Sequence, residues 1–369
     1  MVDSASYTVT CVPLQDQRAL ERDWRELETR SHRSFFLSWT WIGTWLHTFK
    51  PECHVLRVEL GGVLIALGLI VRSEFHQRFR FASSRIHLHQ KGNAICDQIW
   101  TEYNGLLCQR EFQESAIASA MHYLIKELPG WDELVLGAVT RQTAEQLERA
   151  SGLARLDLWH TRTYGVDLKS IAEQKADYID TLSKNTRYQI RRSLRLYEET
   201  SGAVTLQFAH SLEDALQFFN DAAPLHLERW GAGLKQSGFA NEKFVAFHRE
   251  LIRRGWAEGQ IDLIRVQSGT RVLGYFYNFC FQGIVYFYLS GLIGEVDGKF
   301  KPGLCGHALS INHYVRKGMV YYDFMGGEER YKSSLGQCKD ELFQLSLQKD
   351  RAHFRVENFL RSVKHRLGY

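Results

Sequence analysis

From Ile261 onward the spacing of apolar residues switches from strand-like to helix-like and back, and each switch marks an element. Ile261-Asp-Leu-Ile-Arg-Val-Gln267 alternates and stops at Ser268-Gly-Thr270, Arg271 to Phe281 runs to a turn at Gln282-Gly283, and Ile284 to Ser290 follows. This pattern predicts an antiparallel meander. On its middle strand Tyr275, Tyr277, Phe279 and Phe281 share one face, because side chains repeat every second residue, and such an aromatic row is expected to pack against helices. Leu304, Ala308, Leu309, Ile311, Asn312 and Val315 then recur at helical spacing, opened by Pro302-Gly303 and stopped by Lys317-Gly318. Met319 to Met325 reads as a short strand closed by Gly326-Gly327, and Glu328 to Leu335 as a brief helix.

The turn chemistry gives these elements a use. A helix that opens on glycine presents unpaired backbone N–H groups and the positive end of its dipole, so a phosphate can rest there without a dedicated side chain. Lys299 and Lys301 flank the Pro302-Gly303 corner and favour that reading over a plain capping turn. Beyond the helix, Asp323, Glu328, Tyr331 and Lys332 gather at one strand end. Upstream, Lys184, Arg187, Arg191 and Arg195 recur every three or four residues, with Arg192 beside them and no acid before Glu198. Such a face is either solvated or a clamp for phosphates, which Arg holds bidentately.

In this order the segments resemble the GNAT superfamily, and more closely its cellulose-biosynthesis-protein and Fem-like branch. The residues that carry the resemblance are Pro302-Gly303, Asp323-Phe324 with Gly326 or Gly327, and Glu328 or Glu329 with Tyr331-Lys332. Leu182 to Arg192 and His226-Leu-Glu-Arg-Trp230 look like that branch's helices. The likeness covers Tyr178 to Lys349 well and the first half in outline. It implies an α+β (α/β) protein of two tandem GNAT-like domains, each a mixed, mostly antiparallel twisted sheet flanked by helices. It further implies an N-acyltransferase taking its acyl group from acyl-CoA and giving it to an amine, such as an amino sugar or polysaccharide precursor. The carrier would lie on Lys301, Gly303, Leu304, Cys305 and Gly306. Asp323 or Glu328 would serve as base, because an alkylammonium near pKa 10 has no lone pair at neutral pH. Tyr331 would protonate the leaving group, with Lys332, Arg187, Arg191, Glu228 and Trp230 on the substrates. Backbone N–H groups at the splayed end of the Ile284 to Ser290 strand would meet the oxyanion. One departure stands out: where the superfamily's pyrophosphate loop carries Arg or Gln first and Gly or Ala last, this chain has Phe300 and Cys305. Fem-type enzymes take an aminoacyl group from tRNA, which keeps a different activated ester open as donor. A non-catalytic member that only binds a precursor or partner also stays open.

The rest of the chain bounds these readings. At 369 residues and 44% hydrophobic content there is material for more than one core. Leu56 to Ala66 aligns without gaps on Ile264 to Gly274, and Met121-His-Tyr on Asn312-His-Tyr, which reads as a degenerate duplication. We therefore expect a degenerate N-terminal domain over 1–160 and a donor-binding domain over 161–369. In the first copy the equivalent helix follows Leu107-Cys-Gln-Arg-Glu-Phe-Gln-Glu114, where acids would repel an anion. A net charge of +4 implies no long nucleic-acid track. Seven cysteines without a Cys-x-x-Cys pair suit a reducing, cytoplasmic setting. Met1 to Ser6 lacks the basic and apolar regions of a leader, and the longest apolar run, Val63 to Val71, falls short of the roughly 20 residues that span a bilayer. His87-x-His89 lacks a third ligand for a metal, and no hydrolase, Walker or dinucleotide loop occurs.

Overall fold

The first half of the chain, in the computed structural model, runs β1 (Tyr7–Pro13), α1 (Gln17–Arg30), β2 (Ser31–His32), α2 (Trp39–Phe49), β3 (Cys53–Leu60), β4 (Val63–His76), β5 (Ala82–Leu88), β6 (Leu107–Gln109), α3 (Gln113–Lys126), β7 (Glu133–Thr140) and α4 (Arg141–Ser151). It continues as β8 (Ala154–Asp167), α5 (Leu168–Gln174), α6 (Tyr178–Thr181), α7 (Lys184–Thr200), β9 (Val204–Phe208), α8 (Leu212–Trp230) and α9 (Glu242–Ala257). The last elements are β10 (Ile261–Ser268), β11 (Arg271–Phe281), β12 (Ile284–Leu292), α10 (Pro302–Arg316), β13 (Tyr321–Gly326), α11 (Arg330–Leu335) and β14 (Gln337–Gln348). The structure describes residues 6–32, 34–76, 82–234, 236–352 and 354–356, so the first five positions of the leader reading lie outside it. Among the described residues no helix is long and apolar enough to cross a membrane.

Two compact units result, Met1–His160 with the chain from Leu342 onward, and Thr161–Glu341. The expected boundaries put the last segment in the second domain. It groups with the first, because Leu342 to Gln348 of β14 hydrogen-bonds antiparallel to β7. In the first unit β1, β3, β4 and β5 pair antiparallel in turn, while β5 and β7 are parallel, the arrangement a helical crossover allows. Its core gathers Leu56, Val58, Ile70 and Ile86 of the sheet against Ile117, Met121 and Leu124 of α3. Glu133 is the buried exception. Burial raises its pKa, but hydrogen bonds from Ser346, Arg85 and Ser83 outweigh that, so the carboxylate stays ionised and pins β7 to β5 and β14. His87 and His89 part company: the first meets Ser73 at 2.8 Å, and the second, just past β5 with φ 54°, turns to Asn104 at 3.0 Å.

The second unit repeats the plan. From Thr161 on, β8 pairs antiparallel with β13, β13 runs parallel to β12, and β12, β11, β10 and β9 follow antiparallel. The predicted meander is thus present. Its aromatic row is buried under α8 and α9: Tyr275 meets Phe218 at 5.5 Å and Tyr277 meets Phe219 at 5.7 Å and His248 at 5.6 Å between ring centroids. The opposite face turns Phe276 toward α10, whose Cys305, Ala308, Ile311 and Tyr314 are buried at three-residue spacing. The two hairpins share a register. Val58 pairs Ala66 with a bulge before Glu59, and Val266 pairs Gly274 with a bulge before Gln267, the positions the ungapped alignment makes equivalent. Strand β13 starts two residues later than the pattern predicts, because the amides of Met319 and Val320 close onto Tyr314 and Gly283.

Candidate active site

Strand β12 pairs with β13 only over Ile284–Tyr286, against Tyr321–Asp323, and the two strands part beyond that point. Helix α10 follows β12 and brings its first turn to the gap. Lys301 caps it without a side-chain bond. Its own amide donates to Ser193 Oγ on α7 at 2.8 Å, and Cys305 N closes the first helical bond to Lys301 O at 3.0 Å. Among the described residues the amides of Gly303 and Leu304 find no protein acceptor, as the first turn of a helix dictates. They border a cavity of about 310 Å³ lined also by Arg229, Trp230, Ser290, Leu292, Glu295, Phe300, Lys301, His307, Glu329 and Tyr331. Glycine at 303 keeps this entrance open, since a Cβ there would stand 3.1 Å from Leu292 Cδ1.

The walls differ in charge. Glu295 accepts from Tyr197 Oη at 2.9 Å and pairs with Arg271 at 3.1 Å, and Glu329 pairs with Lys332 at 3.2 Å. Both carboxylates at the cavity are therefore matched by a cation. Lys301 and Arg229 meet no acid among the described residues, and Arg229 lies over the exposed ring of Trp230 at 5.4 Å. The open charge in the cavity is positive, which agrees with an anion-binding corner.

Of the expected carrier contacts, Lys301, Gly303 and Leu304 line the cavity. Cys305 and Gly306 face inward: Cys305 Sγ lies 3.2 Å from Ser193 Oγ, burial pushes its thiol up to about 11, and Gly306 abuts Phe276. Tyr331 and Trp230 line the cavity as well. Burial, with the Glu329 charge adding, holds the Tyr331 hydroxyl above the ordinary phenol range, so it stays protonated. The two base candidates stand elsewhere. Asp323 is buried in β13, where its carboxylate accepts from Met325 N at 2.7 Å and steadies that residue's φ of 61°. Glu328 is exposed and accepts from Arg162 N at 3.1 Å. Glu329, its neighbour, faces the cavity. Gly327, at φ 143°, leaves room for the Glu329–Lys332 pair that a Cβ would displace.

Lys332 is buried and donates to Gly326 O, so it ties the β13–α11 loop together. Arg187 donates to Asp180 O at 2.9 Å and Arg191 pairs with the Asp180 carboxylate at 2.5 Å, which fastens α7 to α6 away from the cavity lining. Glu228 is exposed on α8 outside the lining.

One residue absent from the sequence reading is His307. It lies four residues after Gly303, hence on the same face of α10, and its ring is stacked between Phe276 at 4.6 Å and Tyr331 at 5.4 Å. Burial, then the charge of Lys332, pushes its pKa down to about 3, so the imidazole is neutral.

Residues 184–333, which run from α7 into α11, match the acetyltransferase (GNAT) domain family. No curated protein sequence matches the chain. Among solved structures, FemX has a TM-score of 0.56 at 8% identity, covering 92% of this chain and 96% of its own. The C-terminal domain of a putative lysylphosphatidylglycerol synthetase from Agrobacterium fabrum gives 0.53 at 10%, covering 90% and 92%. A tandem GNAT protein from the clavulanic acid biosynthesis pathway gives 0.50 at 12%, covering 94% and 100%. At such identities the likeness is one of fold, and it includes a tandem GNAT arrangement. Together with the domain match it supports a transferase of the acyltransferase type.

Proposed function

We propose that the chain moves an acyl group from an acyl-coenzyme A thioester onto an amine acceptor. The observation that carries this is the pair of amides at Gly303 and Leu304, unpaired among the described residues, which open with Lys301 onto a cavity beside the parting of β12 and β13. The carrier's phosphates would rest on those amides, where the helix dipole and Lys301 favour negative charge. Its acyl end would then point to the gap between the strands.

The acceptor nitrogen must lose a proton before it attacks, since an alkylammonium with a pKa of about 10.4 is protonated at neutral pH. Glu329 is the carboxylate at the cavity, and in this proposal it takes that proton directly or through water. Tyr331, protonated until that point, gives its proton to the leaving thiolate. Trp230 and Arg229 present an apolar face beside a cation, a surface that suits an amino sugar or another polysaccharide precursor with a polar rim. Asp323 and Glu328 hold the backbone of the loop that carries Glu329.

Isothermal calorimetry with coenzyme A, acetyl-coenzyme A and an aminoacyl-tRNA tests the reading. Binding of the coenzyme A compounds in the micromolar range is expected. Heat with aminoacyl-tRNA alone would transfer the site to the donor class of the Fem-type enzymes, and silence with all three would leave a fold without this chemistry.

A further inference from the structure

The Tyr322 hydroxyl is wholly buried, and its only partner among the described residues is His307 Nδ1, at 3.2 Å. A buried O–H left without an acceptor loses its hydration with nothing in return. If Nδ1 carried the imidazole proton, two donors would face each other or the tyrosine O–H would point at nothing. The arrangement that satisfies both groups has Tyr322 donating and Nδ1 accepting, which puts the ring proton on Nε2.

Among the described residues Nε2 has no partner, and the ring belongs to the cavity wall. Its surroundings are those of the parting strands: Phe287 of β12 lies 4.4 Å from the imidazole, Phe324 of β13 5.1 Å, and the stack of Phe276 and Tyr331 prevents rotation. Because helical side chains lean toward the N-terminus, the ring covers the turn that holds Gly303 and Leu304. Phe287 and Phe324 are the first residues past the last paired positions, Tyr286 and Asp323, so the ring also stands at the gap toward which the acyl end of a carrier seated on that turn would point.

We propose that His307 donates through Nε2–H to the acyl carbonyl oxygen during transfer, and that Tyr322 is the positioning residue that fixes this tautomer. The inference rests on the acyltransfer reading above. As the amine nitrogen bonds to the carbonyl carbon, the C=O π pair moves onto oxygen, where Nε2–H meets the growing charge. When that pair returns, the C–S bond breaks and the leaving thiolate takes the Tyr331 proton, which the proton the amine gave to Glu329 then replaces. The imidazole keeps its own proton throughout. A neutral donor suits this step because it binds the oxyanion more strongly than the ground-state carbonyl.

The test uses the full chain with nitrogen-labelled histidines. NMR at neutral pH should show His307 protonated at Nε2 and bare at Nδ1, and Tyr322→Phe should mix or reverse the tautomers. A wild-type ring protonated at Nδ1, or at both nitrogens, would overturn the proposal. Acetyl-coenzyme A should shift the Nε2 resonance and free coenzyme A, which has no acyl carbonyl, should not. Equal shifts with both, or none while calorimetry shows both bound, also overturn it and leave the functional reading intact; no binding of either removes both. With glucosamine as acceptor, His307→Leu should lower kcat about 100-fold and leave KM for acetyl-coenzyme A within about threefold. His307→Gln, which keeps an N–H, should recover part of the rate and melt like wild type. An unchanged kcat in His307→Leu counts against the role.

Discussion

Helices α3 and α10 occupy the same place in two similar units, each leading to a parallel strand pair, and their first turns are built for opposite ends. The alignment of Met121-His-Tyr with Asn312-His-Tyr sets Glu111 against Pro302, Phe112 against Gly303 and Ala116 against His307. In the first unit Phe112 packs against the core, Ala116 is fully buried, and Glu111 and Glu114 put negative charge at the helix start. In the second unit glycine opens the same turn onto a cavity and an imidazole takes the place of the methyl group. One scaffold thus carries a closed, acid-guarded entrance and an open, cationic one. The fold supplies the backbone amides in both, and a few side chains decide whether a ligand can reach them.

The most disruptive way to break the contrast is to give the second unit the first unit's ring. Gly303→Phe should reduce affinity for acetyl-coenzyme A at least about 1000-fold, a little over 4 kcal/mol, with little change in melting temperature. Calorimetry and a thermal melt read both quantities, and retained affinity would show that the corner is not the carrier's seat.

Acid should strike both units alike. His87 and His89 in the first unit, and His226 in the second, are pushed down to about 4 by burial, and His307 to about 3. Their folded pKa values lie below the unfolded value near 6.5, so the unfolded state binds more protons between those limits and stability rises with pH there. The stability is full above about pH 6.5 and is lost as pH falls toward 4, on the order of 3 kcal/mol for each such histidine. Urea titrations across that range, with hydrogen exchange to separate the units, test this. A flat profile in one unit would mean its histidines are hydrated.

Opening the first unit should cost stability and gain nothing. Phe112→Ala should destabilise it by about 2 kcal/mol, less than the 3–5 kcal/mol of a fully buried ring, and leave donor affinity unchanged. New binding of acetyl-coenzyme A in that variant would show the first entrance to be merely plugged. The mildest change is Ser193→Ala, which removes the acceptor for Lys301 N. It should cost about 1 kcal/mol and weaken donor binding about fivefold in the same calorimetric assay.

Much of the second unit was legible because it is written in local rules. Alternation set β10, β11 and β12, Pro302-Gly303 set the start of α10, and the aromatic row of β11 found its helices. The repeated Arg-Val and turn glycine even carried the bulge register shared by the two hairpins. The site was less legible. Asp323 and Glu328 were nearer the motif's form than Glu329, yet Asp323 spends its carboxylate on Met325 N and Glu328 on Arg162 N. His307 carried a signal, its four-residue offset from Gly303, but a histidine among apolar residues reads as core until its neighbours are known.

By itself, then, the chain determined most of its second-unit elements, their order along the sequence, and the amides of one helix start, since these follow from side-chain period, turn residues and the four unpaired N–H groups every helix begins with. Tertiary structure alone decided which of two adjacent glutamates reaches the cavity, that β14 completes the first unit's sheet, and that Tyr322, fifteen residues along the chain and on another element, faces His307 Nδ1. Those outcomes depend on hydrogen bonds and packing between residues distant along the chain, and distance along the chain carries no record of them.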